Sequence, residues 1–173
     1  MLSQFTGEKN DAVLGDLHDF PKDVYPVGRL DKDSEGLLIL TNDNNLKTKL
    51  LEPKNKTPKT YLVQVDGEIT DDAIKQLSAG EIKIKHKGKE YQVAPAKCKK
   101  IKAPQLPERI PPIRYRKNIP TSWVEITITE GKNRQVRKMT AATGFPTLRL
   151  IRVAIGSYKL DEMQPGDVVE VSL

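Results

Sequence analysis

The apolar and polar positions of the chain fall into short segments of two periods. Over residues 59–65 strict alternation puts Tyr61, Val63 and Val65 on one face and Leu62 and Gln64 on the other, which predicts a strand. Alternation resumes over 123–129, with Val124, Ile126 and Ile128 inward and Glu125, Thr127 and Thr129 outward. Residues 147–155 read as another strand, with an arginine on each face, Arg149 and Arg152. Two such cations cannot both be buried unpaired, so at least one is expected to face a cleft. The unbroken run Leu37-Leu38-Ile39-Leu40, closed by Thr41-Asn42-Asp43, has the length and flanks of a fully buried central strand. Gln164-Pro165-Gly166-Asp167 is a turn into a short closing strand, 168–171.

Helical spacing is less extensive. Leu14, Leu17 and Phe20 allow one turn before Pro21. Asn44 or Asn45 can cap a helix that carries Leu46, Leu50 and Leu51 and ends before Pro53. Thr70-Asp71-Asp72 opens a second, with Ala73, Ile74 and Leu77 as its stripe and Gly80 placed for a left-handed cap. A third is read from about 132 to 143, with Val136, Met139, Thr140 and Thr143 on one face and Arg134, Arg137 and Lys138 on the other. Lys132 and Arg134 in its first turn oppose the helix dipole by about 0.3–1 kcal/mol each. A phosphate or a carboxylate is the expected compensating partner, a solvated basic face the alternative.

Between these elements, a hairpin at His86-Lys87-Gly88-Lys89 leads into a strand over 91–101, and lysine recurs at 83, 85, 87, 89, 97, 99, 100 and 102. Alternation with Ile82, Ile84 and Val93 makes most of these lysines the wet side of a two-faced sheet; contact with backbone phosphates is the functional alternative. Prolines at 104, 107, 111, 112 and 120 forbid a long helix or inner strand and predict a stiff excursion over 103–120. It carries Arg109, Arg114, Arg116 and Lys117 around Tyr115. That mixture suits a single-stranded or looped nucleic acid, or is a plain exposed loop.

Composition narrows the field. At 173 residues the chain fits one catalytic domain, 1–173. The 29 Lys and Arg against 23 Asp and Glu give a net charge of +6, which favours polyanionic partners. A single cysteine, Cys98, excludes an internal disulfide framework, and His18 and His86 are too few and too far apart for a zinc site. No apolar stretch nears the ~20 residues of a membrane span, and no signal-peptide core is visible. A cytoplasmic chain is expected.

The chemistry concentrates in Val27-Gly28-Arg29-Leu30-Asp31-Lys32-Asp33-Ser34-Glu35-Gly36, just ahead of the apolar run. Three carboxylates and two cations lie there at the edge of the core, where side chains can be held rigidly and still meet a substrate. The same residues are also ordinary turn formers, with Asp and Ser bonding their own backbone.

Three segments, Gly28-Arg29-Leu30-Asp31, Lys59-Thr60-Tyr61 and Gly131-Lys132-Asn133-Arg134-Gln135-Val136-Arg137-Lys138-Met139, together resemble the RsuA-type pseudouridine synthases. Pro111-Pro112-Ile113-Arg114, Ile119-Pro120-Thr121-Ser122-Trp123 and Gly144-Phe145-Pro146-Thr147-Leu148-Arg149-Leu150-Ile151-Arg152 look like the RluE subgroup, which acts on large-subunit ribosomal RNA. The resemblance implies a mixed α+β fold: a mainly antiparallel or mixed sheet bent around a central basic cleft, with helices outside. It implies uridine isomerisation in ribosomal RNA by a monomer that needs no cofactor and no metal. Asp31 matches the catalytic aspartate, Arg29 the arginine that enters the RNA when the target base is flipped, Tyr61 the tyrosine packed on that base, and Arg137 the basic partner of the aspartate. Arg114, Arg116, Lys132, Arg134, Lys138, Arg149 and Arg152 are the further candidate RNA contacts, and Asp33 and Glu35 are read as structural. Relatives usually begin with a further strand bearing an Asn-Lys-Pro signature, whereas this sequence starts at the stretch that follows it, so an exposed sheet edge is expected. With no small basic N-terminal module, RNA selection would rest on the loops of the catalytic domain. Two other readings stand beside this one: a noncatalytic RNA-binding protein on the same cleft, and a glycoside hydrolase pairing Asp31 with Asp33 or Glu35. The basic balance and an aromatic content of 5% weigh against the second.

Overall fold

The computed structural model describes residues 1–114 and 116–172. An irregular start with one 3₁₀ turn, Leu14–Asp16, leads to β1 (Tyr25–Val27), the polar turn, β2 (Glu35–Gly36), β3 (Ile39–Thr41) and α1 (Asn44–Leu51). Next come β4 (Lys59–Asp66), α2 (Asp71–Ala79), the hairpin of β5 (Lys83–His86) and β6 (Lys89–Gln92), and β7 (Lys97–Ile101). The chain continues through β8 (Thr121–Ile128), α3 (Gln135–Ala142), β9 (Thr147–Ile155) and β10 (Tyr158–Lys159).

The alternating segments form the middle of the main sheet, ordered β10-β9-β4-β8-β7. β4 pairs antiparallel with β8 along its whole length, from Lys59↔Ile128 to Asp66↔Thr121, and with β9 on its other side. Val63, Val65, Val124 and Ile126 are fully buried, and Ala73 and Leu77 of α2 and Val136 and Met139 of α3 close over them. Each of the Val, Ile, Leu and Met side chains contributes about 1.5–3 kcal/mol on leaving water. β7 ends the sheet with Lys97, Lys99 and Lys100 exposed, charges that discourage edge pairing.

The run over 37–40 is not one central strand. Gly36 has φ +110° and lies so close to β9 that a Cβ would sit 2.2 Å from the Arg152 carbonyl oxygen. This glycine lets β2 pair parallel with β9 (Glu35↔Ile151, Gly36↔Arg152) before the chain swings away. β3 then pairs antiparallel with β1 in a separate ribbon, and Val27, Leu37, Leu50 and Ile155 form a second, smaller core.

Other expectations are met or shifted for local reasons. α2 has Thr70 as its N-cap and left-handed Gly80 as its C-cap, and Lys87 and Gly88 (φ 49° and 76°) make the tight hairpin turn. Asp43, rather than Asn44 or Asn45, caps α1, its carboxylate accepting from the amides of Asn45 and Leu46. α3 begins at Gln135, three residues later than its periodicity suggests, because Arg134 is left-handed (φ 51°). The strand expected over 91–101 is interrupted between Gln92 and Lys97, where the Pro95 ring packs against Gly80. The lysines of this region are exposed, as expected. Residues 103–114 and 116–120 contain no helix or strand, and Tyr115, the aromatic expected to stack on a base, lies outside the described residues. The segment 168–171 finds no ladder partner among the described residues, so alternation alone does not make it a strand. No helix among the described residues is long and apolar enough to cross a membrane.

Candidate active site

The polar turn between β1 and β2 is short of apolar contacts and is held by directed bonds from several sides. From the N-terminal segment, Ser3 Oγ donates to Leu30 O (2.8 Å) and accepts from Leu30 N (2.9 Å). Arg29 donates to Gln4 Oε1 (2.8 Å) and Lys32 pairs with Asp11 (2.7 Å). Within the turn, Ser34 N donates to Asp31 O (2.9 Å). From β9, Arg152 reaches under the turn, Nε donating to Leu37 O (2.9 Å) and Nη2 to Gly28 O (2.8 Å).

Further arginines hold its carboxylates and its backbone. Arg134, at the N-cap of α3, forks onto Asp33 at 2.9 and 2.8 Å. Arg137, one turn of α3 further on, donates to Asp33 O (2.8 Å) and Ser34 Oγ (3.2 Å). Arg149 forks onto Glu35 at 2.9 and 2.9 Å and also donates to Pro107 O, while Arg109 of the proline-rich excursion lies 3.6 Å from Glu35. Charge-assisted forks of this kind are the strongest and most directional bonds available to side chains. The hydrogen bond from Arg134 is the main cause that holds the Asp33 carboxyl below its usual range, and it raises Arg134 in turn.

Asp31 is held differently. Its Oδ2 lies 3.6 Å from Arg134 Nη1, beyond hydrogen-bond range, and its side chain is 35% exposed. Of the three carboxylates, it is the one not engaged in an arginine fork among the described residues. Tyr61 of β4 faces Arg152 across the ladder. Burial pushes its phenol above the usual value; the Arg152 charge opposes that shift and the Asp31 charge adds to it, which puts all three groups in one electrostatic neighbourhood. Burial lowers Arg152 from its ordinary value, and Tyr61 offsets part of that.

The sequence-predicted residues therefore separate into groups. Asp31, Tyr61, Arg134 and Arg137 meet around the turn, but the direct approach to Asp31 is made by Arg134, while Arg137 holds the backbone and side chain of the neighbouring residues. Arg137 does not project to solvent opposite the apolar stripe: its side chain is 12% exposed, packed beneath the turn, and its buried Nε has no partner among the described residues. The anion expected near the start of α3 is the Asp33 carboxylate. Arg152 is 3% exposed, so it braces the site from within and does not present a surface to RNA. Arg149 is likewise committed to Glu35. Arg29 and Arg114 are exposed, Arg116 lies 3.8 Å from Asp66, Lys132 sits over the Tyr91 ring and Lys138 donates to Lys85 O. Ser3, Asp11 and Arg109 escaped the sequence reading as parts of this assembly, because only chain crossings bring them to the turn.

Asp31 is reachable from solvent, with its side chain 35% exposed. The two best-formed hollows, about 340 and 210 Å³, are lined around Phe5, His18 and Phe20 and around Leu46, Leu50 and Tyr158, and neither includes Asp31 or Tyr61. One reachable carboxylate among arginines, on a chain of net charge +6, suits a polyanionic partner. With Asp33 and Glu35 both held in forks, a carboxylate-pair hydrolase has no second acid ready in the turn.

Comparison with known proteins agrees. Residues 4–142 match the family model described as RNA pseudouridylate synthase. The chain is 51% identical over 172 residues to Ribosomal large subunit pseudouridine synthase E of Vibrio parahaemolyticus, an alignment that covers 99% of this chain and 70% of that protein. It is 47% identical over 168 residues to the protein of the same name from Xanthomonas axonopodis pv. citri, covering 95% and 85%. A solved structure described as a crystal structure of pseudouridylate synthase has a TM-score of 0.68 at 29% identity, over 88% of this chain and 58% of that one. The matched segment runs from Gln4 to Ala142 and so takes in the turn, β4 and α3 with Asp31, Tyr61, Arg134 and Arg137: the chain belongs to the RNA pseudouridylate synthase family.

Proposed function

We propose that this chain converts uridine to pseudouridine in large-subunit ribosomal RNA, with Asp31 as the carboxylate that meets the target nucleotide. The observation that carries the assignment to Asp31 is the contrast within the turn: Asp33 and Glu35 are locked by arginine forks, while Asp31 stays reachable beside Tyr61 and Arg134. The substrate class is supported by family membership and by relatives about half identical that carry a large-subunit synthase name.

The reaction is an isomerisation. The C1′–N1 bond of the uridine breaks, the uracil turns, C1′ bonds to C5, the C5 proton leaves and N1 gains one, so composition and oxidation state are unchanged. Asp31 serves as the nucleophile or base of this sequence. Taking the base out of its stack costs a few kcal/mol, which insertion of Arg29 and stacking on Tyr61 offset in part. Arg134 supplies the positive charge next to Asp31, and Arg137 and Arg152 keep the turn in register with α3 and the sheet. The same reading places the chain in the cytoplasm, where such RNA is made and assembled, and treats it as a monomer.

The test is pseudouridine mapping by carbodiimide-induced primer-extension stops on unmodified large-subunit RNA, supplied free and as assembling subunits. A stop with the native chain and none with Asp31→Ala, at equal RNA affinity, is the expected result. A stop that survives Asp31→Ala removes Asp31 from the chemistry. RNA binding with no stop from the native chain on either substrate makes the chain a noncatalytic binder.

A further inference from the structure

The β5–β6 hairpin takes no part in the site described above, yet the fold fixes it next to α3. Ile84 and Tyr91, paired across the hairpin, seat it on the main core. Lys138 Nζ donates to Lys85 O at 2.8 Å, and Lys132 Nζ stands 4.9 Å from the centre of the Tyr91 ring. The tip is not a loose loop: Lys87 and Gly88 occupy the two left-handed positions of a tight turn, with His86 and Lys89 paired on either side.

Two acids lie near this surface and both have partners. Glu130 accepts from Tyr91 Oη, from the Ala94 amide and from Gln135 Nε2, and Glu90, opposite Lys85 in the hairpin, pairs with Lys83. His86 records the result: its pKa is lowered first by burial and then by the charges of Lys132, Lys87 and Lys138. Those cations therefore crowd one patch, and Lys87 and Lys89 are exposed in it.

We propose that the tip of the β5–β6 hairpin, through Lys87 and Lys89 together with Lys132 and Lys138, is a second RNA-binding surface that grips the sugar-phosphate backbone beside the target uridine. The inference rests on the function proposed above and adds where the flanking RNA lies. Arg134 stands 3.6 Å from Asp31, and Lys138 follows one turn along α3, a rise of ~6 Å. From Lys85, which Lys138 touches, to Lys87 is another ~7 Å of strand. These contacts link the hairpin tip through α3 to the neighbourhood of Asp31, which sets its cations beside the RNA that flanks a nucleotide held at the turn. Such contacts carry no base information; they fix register and orientation while the turn handles the target base.

The test titrates the native chain, the double variant Lys87→Asn/Lys89→Gln and a control of equal charge, Lys47→Gln/Lys49→Gln, onto protein-free large-subunit RNA between about 50 and 200 mM salt. Asparagine is chosen at 87 because it accepts the left-handed backbone there. The control pair is exposed on α1, which packs on the smaller core. If the hairpin grips phosphates, the double variant binds roughly three- to tenfold more weakly, and its log–log salt slope falls by about 1.5, which is 0.7–0.9 per lost contact. The control moves by less than half as much in both respects, and pseudouridine formation by the double variant shows a raised KM with little change in kcat. Equal losses in variant and control reduce the effect to net charge and overturn the proposal, as does an unchanged affinity and slope. A native chain that forms no pseudouridine defeats the proposed function, while the titration still decides the hairpin.

Discussion

The central sheet and the polar turn beside it are held by opposite means. In the sheet, Val63, Val65, Val124 and Ile126 are buried by alternation, and their contribution is non-directional and spread over many neighbours. In the turn, placement depends on a few charged side chains from distant segments: Arg134 and Arg137 of α3 and Arg149 and Arg152 of β9. The difference teaches where each property resides. On the proposed function, stability is expected to rest mainly on the sheet and activity on the turn, so that the two can be lost separately.

The largest expected effect is at Asp31. Asp31→Asn keeps the shape and removes the charge, and is expected to lower kcat by a factor on the order of 10³ or more while the Tm stays within a degree or two. A drop in Tm in step with activity breaks the comparison. Next is Ile126→Ala at a fully buried site of β8. Urea unfolding is expected to show a loss of about 2–5 kcal/mol, with the rate per folded molecule unchanged.

Gly36→Ala probes the junction of the two regions. Its φ of +110° and the 2.2 Å approach of a Cβ to Arg152 O force a backbone shift just where β2 joins β9. A cost of about 1–3 kcal/mol is expected, with a larger proportional loss of activity than Ile126→Ala gives at equal destabilisation.

A smaller effect is set by pH. Because Arg134 lowers the folded-state pKa of Asp33, this carboxylate contributes stability above its unfolded value of about 3.9, lost as pH falls through the lower folded value. Its side chain is 42% exposed, so solvent screening keeps the contribution at or under ~1 kcal/mol. Asp33→Asn should therefore lower stability at neutral pH slightly and flatten its decline below about pH 4, as followed by acid titration of unfolding. The smallest effect is chemical: burial pushes the Cys98 thiol up to about 12. Iodoacetamide at pH 8 is expected to label the native chain far more slowly than the urea-unfolded chain, and rapid native labelling counts against the packing of Cys98 on the main core.

How much of this was legible before the fold was known depends on range. β4, β8, the caps of α2 and the Lys87-Gly88 turn follow from residues within one element, and the structure has them where alternation and capping chemistry put them. The start of α3 and the cap of α1 were displaced by a few residues because caps depend on backbone angles that neighbouring residues do not dictate. The run over 37–40 misled, since periodicity registers its apolarity but not the closeness of Gly36 to β9.

By itself the sequence determined the apolar faces, the polar turn with its carboxylates, the basic balance and the motifs that mark the family, all properties carried by local order and residue type. Only the tertiary structure decided which arginine serves which acid. Arg134 and Asp33 lie 101 positions apart, and Arg149 and Glu35 lie 114 apart. Whether such groups meet depends on how α3 and β9 pack around β4, and with several arginines competing for three carboxylates, differences of an ångström in that packing select the pairs.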